Sequence, residues 1–282
     1  PLIGNLNEPA TPLNNPNGNN IINVLRDLGQ PLAAFNDPFS RDIYVTPGRS
    51  YEGETEDMGV SLQGDWEFGA ATLTSITAYR DYRSGQPGDI DYSSVDILYR
   101  SPDNNGVERQ FQTFSQELRL QGTAFDDRLD WLVGAYFADE DLTVTDNLRF
   151  GAQYGRFATC RLVSGSALFP LYNPAAPGCL AVRPPLFGAA SPLIYAAIDR
   201  LDSVNDRGST IDTYNQNSRN YAFFTHNIFH ITDALSFTAG LRYTNERKRF
   251  DATFGNDNTA CVAQQAALVP FLTTPALGAI AG

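Results

Sequence analysis

The 282-residue chain carries 32 Asp and Glu against 20 Lys and Arg, a formal net charge of −12, and this acidic balance argues against a nucleic-acid partner, whose phosphates need a basic patch. No run of about 18 apolar residues occurs, which excludes a membrane helix but not a membrane β-barrel. The length admits one large or two ordinary domains. The chain starts at Pro1 without an initiator Met or signal segment and stops in an irregular stretch at Gly282, so it reads as a piece of something longer.

Residues 1–54 are rich in Asn, Pro and Gly and read as loop, with a short helix over 21–28 that Asn20 would cap and Gly29 would end. From Thr55 the pattern changes. Met58, Val60, Leu62 and Trp66 share one parity, a turn follows near 68–70, and a second strand runs to Ser84, giving a hairpin over about 55–84. A loop over 85–109 contains the turn signals QPGD and SPDNNG.

The second hairpin covers about 110–150. Phe114, Gln116, Leu118 and Leu120 alternate with Thr113, Ser115, Glu117 and Arg119; beyond the turn TAFDDR, Trp131, Val133, Ala135 and Phe137 share one face of a strand expected to continue to about Phe150. Residues 151–218 read as irregular apart from a short helix, LIYAAIDRL, opened by Ser191 as N-cap and Pro192 in the first turn. The third hairpin, about 219–250, turns at Thr232, Asp233 and Ala234. Its second strand alternates Leu235, Phe237, Ala239, Leu241 and Tyr243 with Ser236, Thr238, Gly240, Arg242 and Thr244. A loop over 251–282 ends the chain.

All 17 prolines fall outside these strands, as interior strands require. The connections alternate short and long, and compact soluble domains rarely hold structureless links of such length; outer-membrane barrels do, with short turns at one end and long loops at the other. Trp66, Trp131 and Phe237 lie near the short turns, and Tyr79, Phe137 and Tyr243 lie further up, as two aromatic girdles of a lipid-facing band would. A soluble β-sandwich would bury the same alternation in a dry core, and periodicity alone leaves both architectures open.

Four phrases in order, TLTSITAYRDY, FSQELRLQG, DWLVGAYF and ITDALSFTAGLRYTNERK, resemble successive barrel strands of TonB-dependent outer-membrane receptors, the siderophore and vitamin transporters of Gram-negative bacteria. The resemblance implies an all-β, antiparallel transmembrane β-barrel, of which residues 1–282 would supply about six strands in three hairpins. In that family a barrel of about 22 strands encloses a plug, and a TonB box ahead of the plug couples transport to the inner-membrane proton gradient. Neither the plug, the TonB box nor a closing strand is recognisable here, and six strands cannot close such a barrel. The implied activity is uptake of a ferric siderophore or similar scarce nutrient. The implied partners are TonB with ExbB and ExbD, outer-membrane lipid and the small-molecule ligand. A passive porin, or a secreted β-sandwich binding module or glycosidase, is the alternative.

On the barrel reading Glu117, Arg119, His226, His230 and Arg242 face the lumen, where the resemblance implies hydrogen bonds from Glu117 and Arg119 to the plug; a solvated ion pair is the other reading. His226 and His230 form HNIFH, but four strand residues span about 13 Å, too far for one metal ion. Asp89, Asp91 and Asp96 lack the order of a calcium loop and read as solvated loop charge. Cys160 and Cys179, 19 positions apart, are expected to form a disulfide in a compartment that permits one, constraining the unfolded chain by about 3 kcal/mol; Cys261 is left over. No cofactor is expected. The absence of GxSxG, P-loop and HExxH motifs, with Asp126 and Asp127 in a turn, argues against an enzyme.

Overall fold

A computed structural model describes residues 21–35, 41–101, 107–257 and Val262. In chain order its elements are α1 (Ile21–Asp27), β1 (Glu54–Phe68), β2 (Ala71–Gly85), β3 (Gly88–Asp89), β4 (Leu98–Arg100), β5 (Glu108–Ala124), β6 (Leu129–Asp146), β7 (Leu148–Phe150), α2 (Tyr154–Ser164), α3 (Ser191–Asp202), β8 (Asp212–Thr232) and β9 (Leu235–Thr253), with short 3-10 turns between them. The long strands form one six-stranded antiparallel sheet in the order β1-β2-β5-β6-β8-β9; β3, β4 and β7 form a second, small sheet. No described helix is long and apolar enough to cross a membrane.

The turns explain why consecutive long strands pair as neighbours. Gly69 and Ala70 alone separate β1 from β2, and Gly69 takes φ +65°, the left-handed conformation a tight hairpin needs. Asp233 and Ala234 join β8 to β9, with a register irregularity between His230 and Thr232 that marks a bulge. Between β5 and β6, Phe125, Asp126 and Asp127 all lie at positive φ, between 54° and 62°.

The three hairpins stand where alternation placed them, but their long-loop ends differ. The strand from Leu129 stops at Asp146 instead of running to about Phe150; Leu148–Phe150 turns aside to pair with β4. The third hairpin opens at Asp212, not near 219, and its last strand continues to Thr253. Polar residues such as Asn215, Gln216 and Asn217 concealed that extension, because strand pairing beyond an apolar band needs no apolar alternation.

Residues 151–211 are a folded cap, not an irregular loop. Cys160 and Val163 of α2, Ile194 and Ile198 of α3, and Cys179 and Leu180 between them form its core, with Val24 of α1 packed in. Gly155 allows the helices to cross closely: a Cβ there would lie 2.3 Å from the Leu201 carbonyl oxygen. Helix α3 begins at Ser191 itself with Pro192 in its first turn; Ser191 Oγ accepts the Phe187 backbone N–H (3.0 Å) and does not cap the helix. Helix α1 ends at Asp27, with Gly29 at φ +113° just beyond; the expected cap, Asn20, lies outside the described residues, as does Cys261.

The cap is tied to the upper ends of the long strands. Arg100 on β4 forms a two-point pair with Asp146 at 2.9 and 3.2 Å. Asp257, just past β9, accepts the Gly208 N–H at 2.7 Å and meets Arg149 at 3.3 Å.

Candidate functional site

The register assigns every side chain of the large sheet to one of two faces, because side chains alternate and direct partners share a face. Following partners outward from β1, Val60 lies opposite Tyr79, Tyr79 opposite Phe114, and Leu73 opposite both Trp66 and Leu120. Further on, Leu120 pairs Val133, Phe137 pairs Tyr221, Phe223 pairs Tyr243, and Phe229 pairs Phe237. One face is therefore apolar across six strands, and it is exposed: Leu62 and Leu241 are each 74% accessible and Phe223 61%. In water, Val60, Leu62, Phe223, Phe237 and Leu241 alone would forfeit on the order of 10 kcal/mol, at ~1.5–3 kcal/mol per large apolar side chain, comparable to the whole stability of a domain. A hydrocarbon solvent removes that cost.

All six aromatic residues expected in girdles, Trp66, Tyr79, Trp131, Phe137, Phe237 and Tyr243, lie on this face. Trp131 and Phe237 are each two residues past the start of β6 and β9, and Phe137 and Tyr243 each lie six residues further along. At about 3.3 Å per residue that separates the two sets by roughly 20 Å along the strands. Beyond the upper set the same face turns charged, with Asp81, Asp139, Asp141, Arg219, Arg247 and Arg249.

The opposite face collects Glu117, Arg119, His226, His230 and Arg242, the residues assigned to the lumen. Arg119 lies opposite Gly134, Gly134 opposite Phe224, and Phe224 opposite Arg242, so one row crosses four strands. The Phe224 ring covers Gly134 so closely that a Cβ there would sit 2.2 Å from it. The Arg242 guanidinium stands 5.4 Å from the Phe224 ring centre and 6.0 Å from that of Tyr136, within cation–π reach. Arg119 donates to the Glu117 carboxylate beside it. Periodicity placed Arg119 and Arg242 on this face but did not foresee the Phe224 and Tyr136 rings against Arg242; the signal available was Gly134, a glycine in mid-strand marking the close approach of another group.

His226 and His230 do not share a ligand set, and no metal-binding group of three or more His, Cys, Asp or Glu occurs among the described residues. His230 instead bridges two strands, with Nε2 at 2.9 Å from Asp130 Oδ2 and Nδ1 at 2.9 Å from Ser236 Oγ. This carboxylate, imidazole and hydroxyl sequence lies on an open strand face near the short turns, where it fixes β6, β8 and β9 together.

Above the sheet the cap presents a rigid surface. Cys160 and Cys179 are bonded, with Sγ–Sγ 2.05 Å, and both are fully buried. Arg156 pairs with Asp202 at 3.0 Å, and Asp202 accepts the Gly178 N–H at 3.0 Å, which fixes the segment carrying Cys179 on the helix pair. The acidic residues of the second loop are not solvated charge. Asp89 and Asp96 are 5% and 7% accessible. Asp89 accepts the backbone N–H groups of Thr46 (2.9 Å) and Tyr92 (2.7 Å) and the Tyr51 hydroxyl (3.0 Å). Asp91 accepts the Leu98 N–H at 2.7 Å. Asp96 pairs with Arg49 at 2.5 Å and accepts the Ala152 N–H at 2.9 Å. Asp89 and Asp91 organise one continuous turn, in which Asp89 also accepts the Asp91 N–H (3.1 Å) and Asp91 the Ser93 N–H (3.1 Å), while Asp96 holds a separate segment; nothing in their spacing revealed which distant N–H groups they would receive.

Electrostatics follow from this burial. Burial raises the Asp91 carboxyl above its usual range against the hydrogen bonds that lower it. Burial, helped by neighbouring Asp89, pushes the Tyr51 hydroxyl up to about 12. Burial by itself would lower the Arg49 guanidinium, but its hydrogen bond and charge pairing with Asp96 outweigh that effect and raise it. Arg49 also lies over the Tyr99 ring, 3.5 Å from its centre. Around these buried pairs the loop between β3 and β4 exposes Tyr92, and the cap exposes Phe169, Val182 and Leu186.

The chain was compared with known proteins. No curated protein matches it. The family model described as TonB dependent receptor-like, beta-barrel matches residues 4–280. With long antiparallel strands, an exposed apolar face opposite a polar one, and short turns opposed to a folded cap, the chain belongs to the TonB-dependent receptor β-barrel family, outer-membrane proteins of TonB-dependent transport.

Proposed function

We propose that residues 1–282 form a section of the wall and ligand-capturing loops of an active transporter for a ferric siderophore or a comparable scarce nutrient, energised through TonB with ExbB and ExbD. The observation that supports this reading is the pairing of two features on one sheet. A polar, hydrogen-bonding inner face carries Arg119, Glu117 and Arg242, and the disulfide-bonded cap above it holds apolar tips in place. The first supplies a wall that a movable plug can grip and release. The second supplies a preformed capture surface, which limits the ordering cost of binding. On this reading the protein moves its ligand chemically unchanged and is not an enzyme.

Uptake of radioactive iron presented as a panel of ferric siderophores, in cells lacking and regaining the gene, tests the proposal. One chelate is expected to enter only in the complemented strain, and its entry is expected to stop when TonB is deleted or a protonophore is added. Entry that persists without TonB would favour a passive porin.

A further inference from the structure

A polar group interrupts the apolar face on β2 and β5. Thr77 and Gln116 are direct cross-strand partners there, and Ser75 lies one alternation below Thr77 on the same face. Thr77 Oγ1 donates to Gln116 Oε1 at 2.6 Å, and Gln116 Nε2 donates to Ser75 Oγ at 3.0 Å and to the Glu117 carbonyl at 3.2 Å. Apolar side chains surround the group. Leu62 lies opposite Thr77, Phe137 lies opposite Gln116, and Leu73, Tyr79, Phe114 and Leu118 stand above and below on the same two strands.

Depth decides what can meet these side chains. Thr77 is four residues along β2 from Leu73, the partner of Trp66, and two short of Tyr79; Ser75 is halfway between Leu73 and Thr77. Both hydroxyls therefore lie between the two aromatic girdles, in the band that lipid fills with hydrocarbon alone. Hydrocarbon offers no hydrogen bond, so a hydroxyl or amide there is costly unless another group pairs with it. The three side chains satisfy one another only in part. Among the described residues the Ser75 hydroxyl proton meets no acceptor, and Thr77 Oγ1 accepts no hydrogen bond. Thr225, elsewhere on this face, shows the contrast, because its hydroxyl donates to the Leu132 carbonyl at 2.8 Å.

We propose that this part of the outer wall is a self-association surface, on which a second copy of the receptor docks within the membrane. Lipid cannot supply the missing partners at this depth, whereas a second copy supplies both: Ser75 of one protomer donates to the Thr77 or Gln116 oxygen of its partner, and the reverse. A patch that holds donor and acceptor together is self-complementary, as a twofold contact requires, and polar side chains paired in this way hold membrane segments together. The inference rests on the apolar face meeting lipid, which quenching of Trp66 and Trp131 by lipid-borne bromine tests separately.

The test uses the full receptor, labelled in separate batches with donor and acceptor dyes, mixed in phosphatidylcholine vesicles and diluted with added lipid while energy transfer is followed. Wild-type transfer is expected to fall along a monomer–dimer curve, and S75A/T77V/Q116L to weaken association about tenfold. These changes make a lipid-facing patch more apolar and so leave the barrel folded, which heat-modifiable migration on gels verifies. T225V, on β8 of the same face, is expected to associate like wild type. Transfer no greater than random collision at every dilution, equal association of the triple variant and wild type, or an equal loss in T225V would overturn the proposal. With the tryptophans quenched by brominated lipid, any of these results would leave the lipid contact standing and remove the second copy alone.

Discussion

Replacing both Cys160 and Cys179 by alanine is expected to loosen the cap while leaving the long strands intact. The bond closes a loop of about 20 residues, and chain-entropy cost at that length is about 3 kcal/mol. Both cysteines are fully buried against Val163, Ile194 and Ile198, so alanine fits the site without leaving a buried hydroxyl in want of a partner. If the cap opens as a local unit, about 3 kcal/mol corresponds to a fall in protection of roughly two orders of magnitude. The assay is hydrogen exchange with peptide-level mass spectrometry on the reconstituted protein. Peptides across 154–164 and 191–202 are expected to exchange over a hundredfold faster in the variant, while those across 129–146 and 235–253 keep their wild-type rates. Unchanged protection in the cap would refute the argument, by showing that the helix contacts and the Arg156–Asp202 pair hold it without the disulfide.

Three further outcomes follow from the geometry. Gly134→Val drives a side chain into the Phe224 ring and should cost about 1–3 kcal/mol, as overpacking does, measured by the urea midpoint of the folded barrel; adding Phe224→Ala should recover part of the loss. On the apolar face, Leu241→Arg should cost about 2–4 kcal/mol at mid-bilayer depth, whereas Thr238→Arg, on the polar face, should be tolerated; refolding yield into lipid vesicles separates the two. Because the Tyr51 hydroxyl is raised to about 12, the stability it contributes is complete below the ordinary tyrosine value of about 10 and is lost as pH rises from there toward 12. Tyr51→Phe should remove that alkaline dependence, read as tyrosinate absorbance together with exchange of the segment around Asp89.

The hairpins were legible because lipid writes its demand on alternate residues: Trp131, Val133, Ala135 and Phe137 could not be arranged otherwise on a strand. The same rule placed Glu117, Arg119, His226, His230 and Arg242 on one face and the six girdle aromatics on the other. Outside the apolar band that rule lapses. The start of β8 at Asp212 carries polar side chains on both faces, and its pairing depends on backbone hydrogen bonds that any sequence can make. The cap was hidden for a different reason. Helix α2 mixes Arg156 and Arg161 with Phe157, Cys160 and Val163, and its burial comes from contacts with α1 and α3 far along the chain. Asp89 and Asp96 looked like loop charge because the groups that bury them, Tyr51, Thr46, Arg49 and Ala152, lie in other segments.

The claim on which the rest depends is that the exposed apolar face meets lipid. The chain's two tryptophans, Trp66 and Trp131, both lie on that face near the short turns. In bilayers whose lipids carry bromine at a chosen acyl depth, the account predicts strong quenching of both by bromine near the head groups and weaker quenching by bromine at mid-chain, with little effect of aqueous iodide. Efficient quenching by iodide and none by brominated lipid would contradict it and return the apolar face to a protein core.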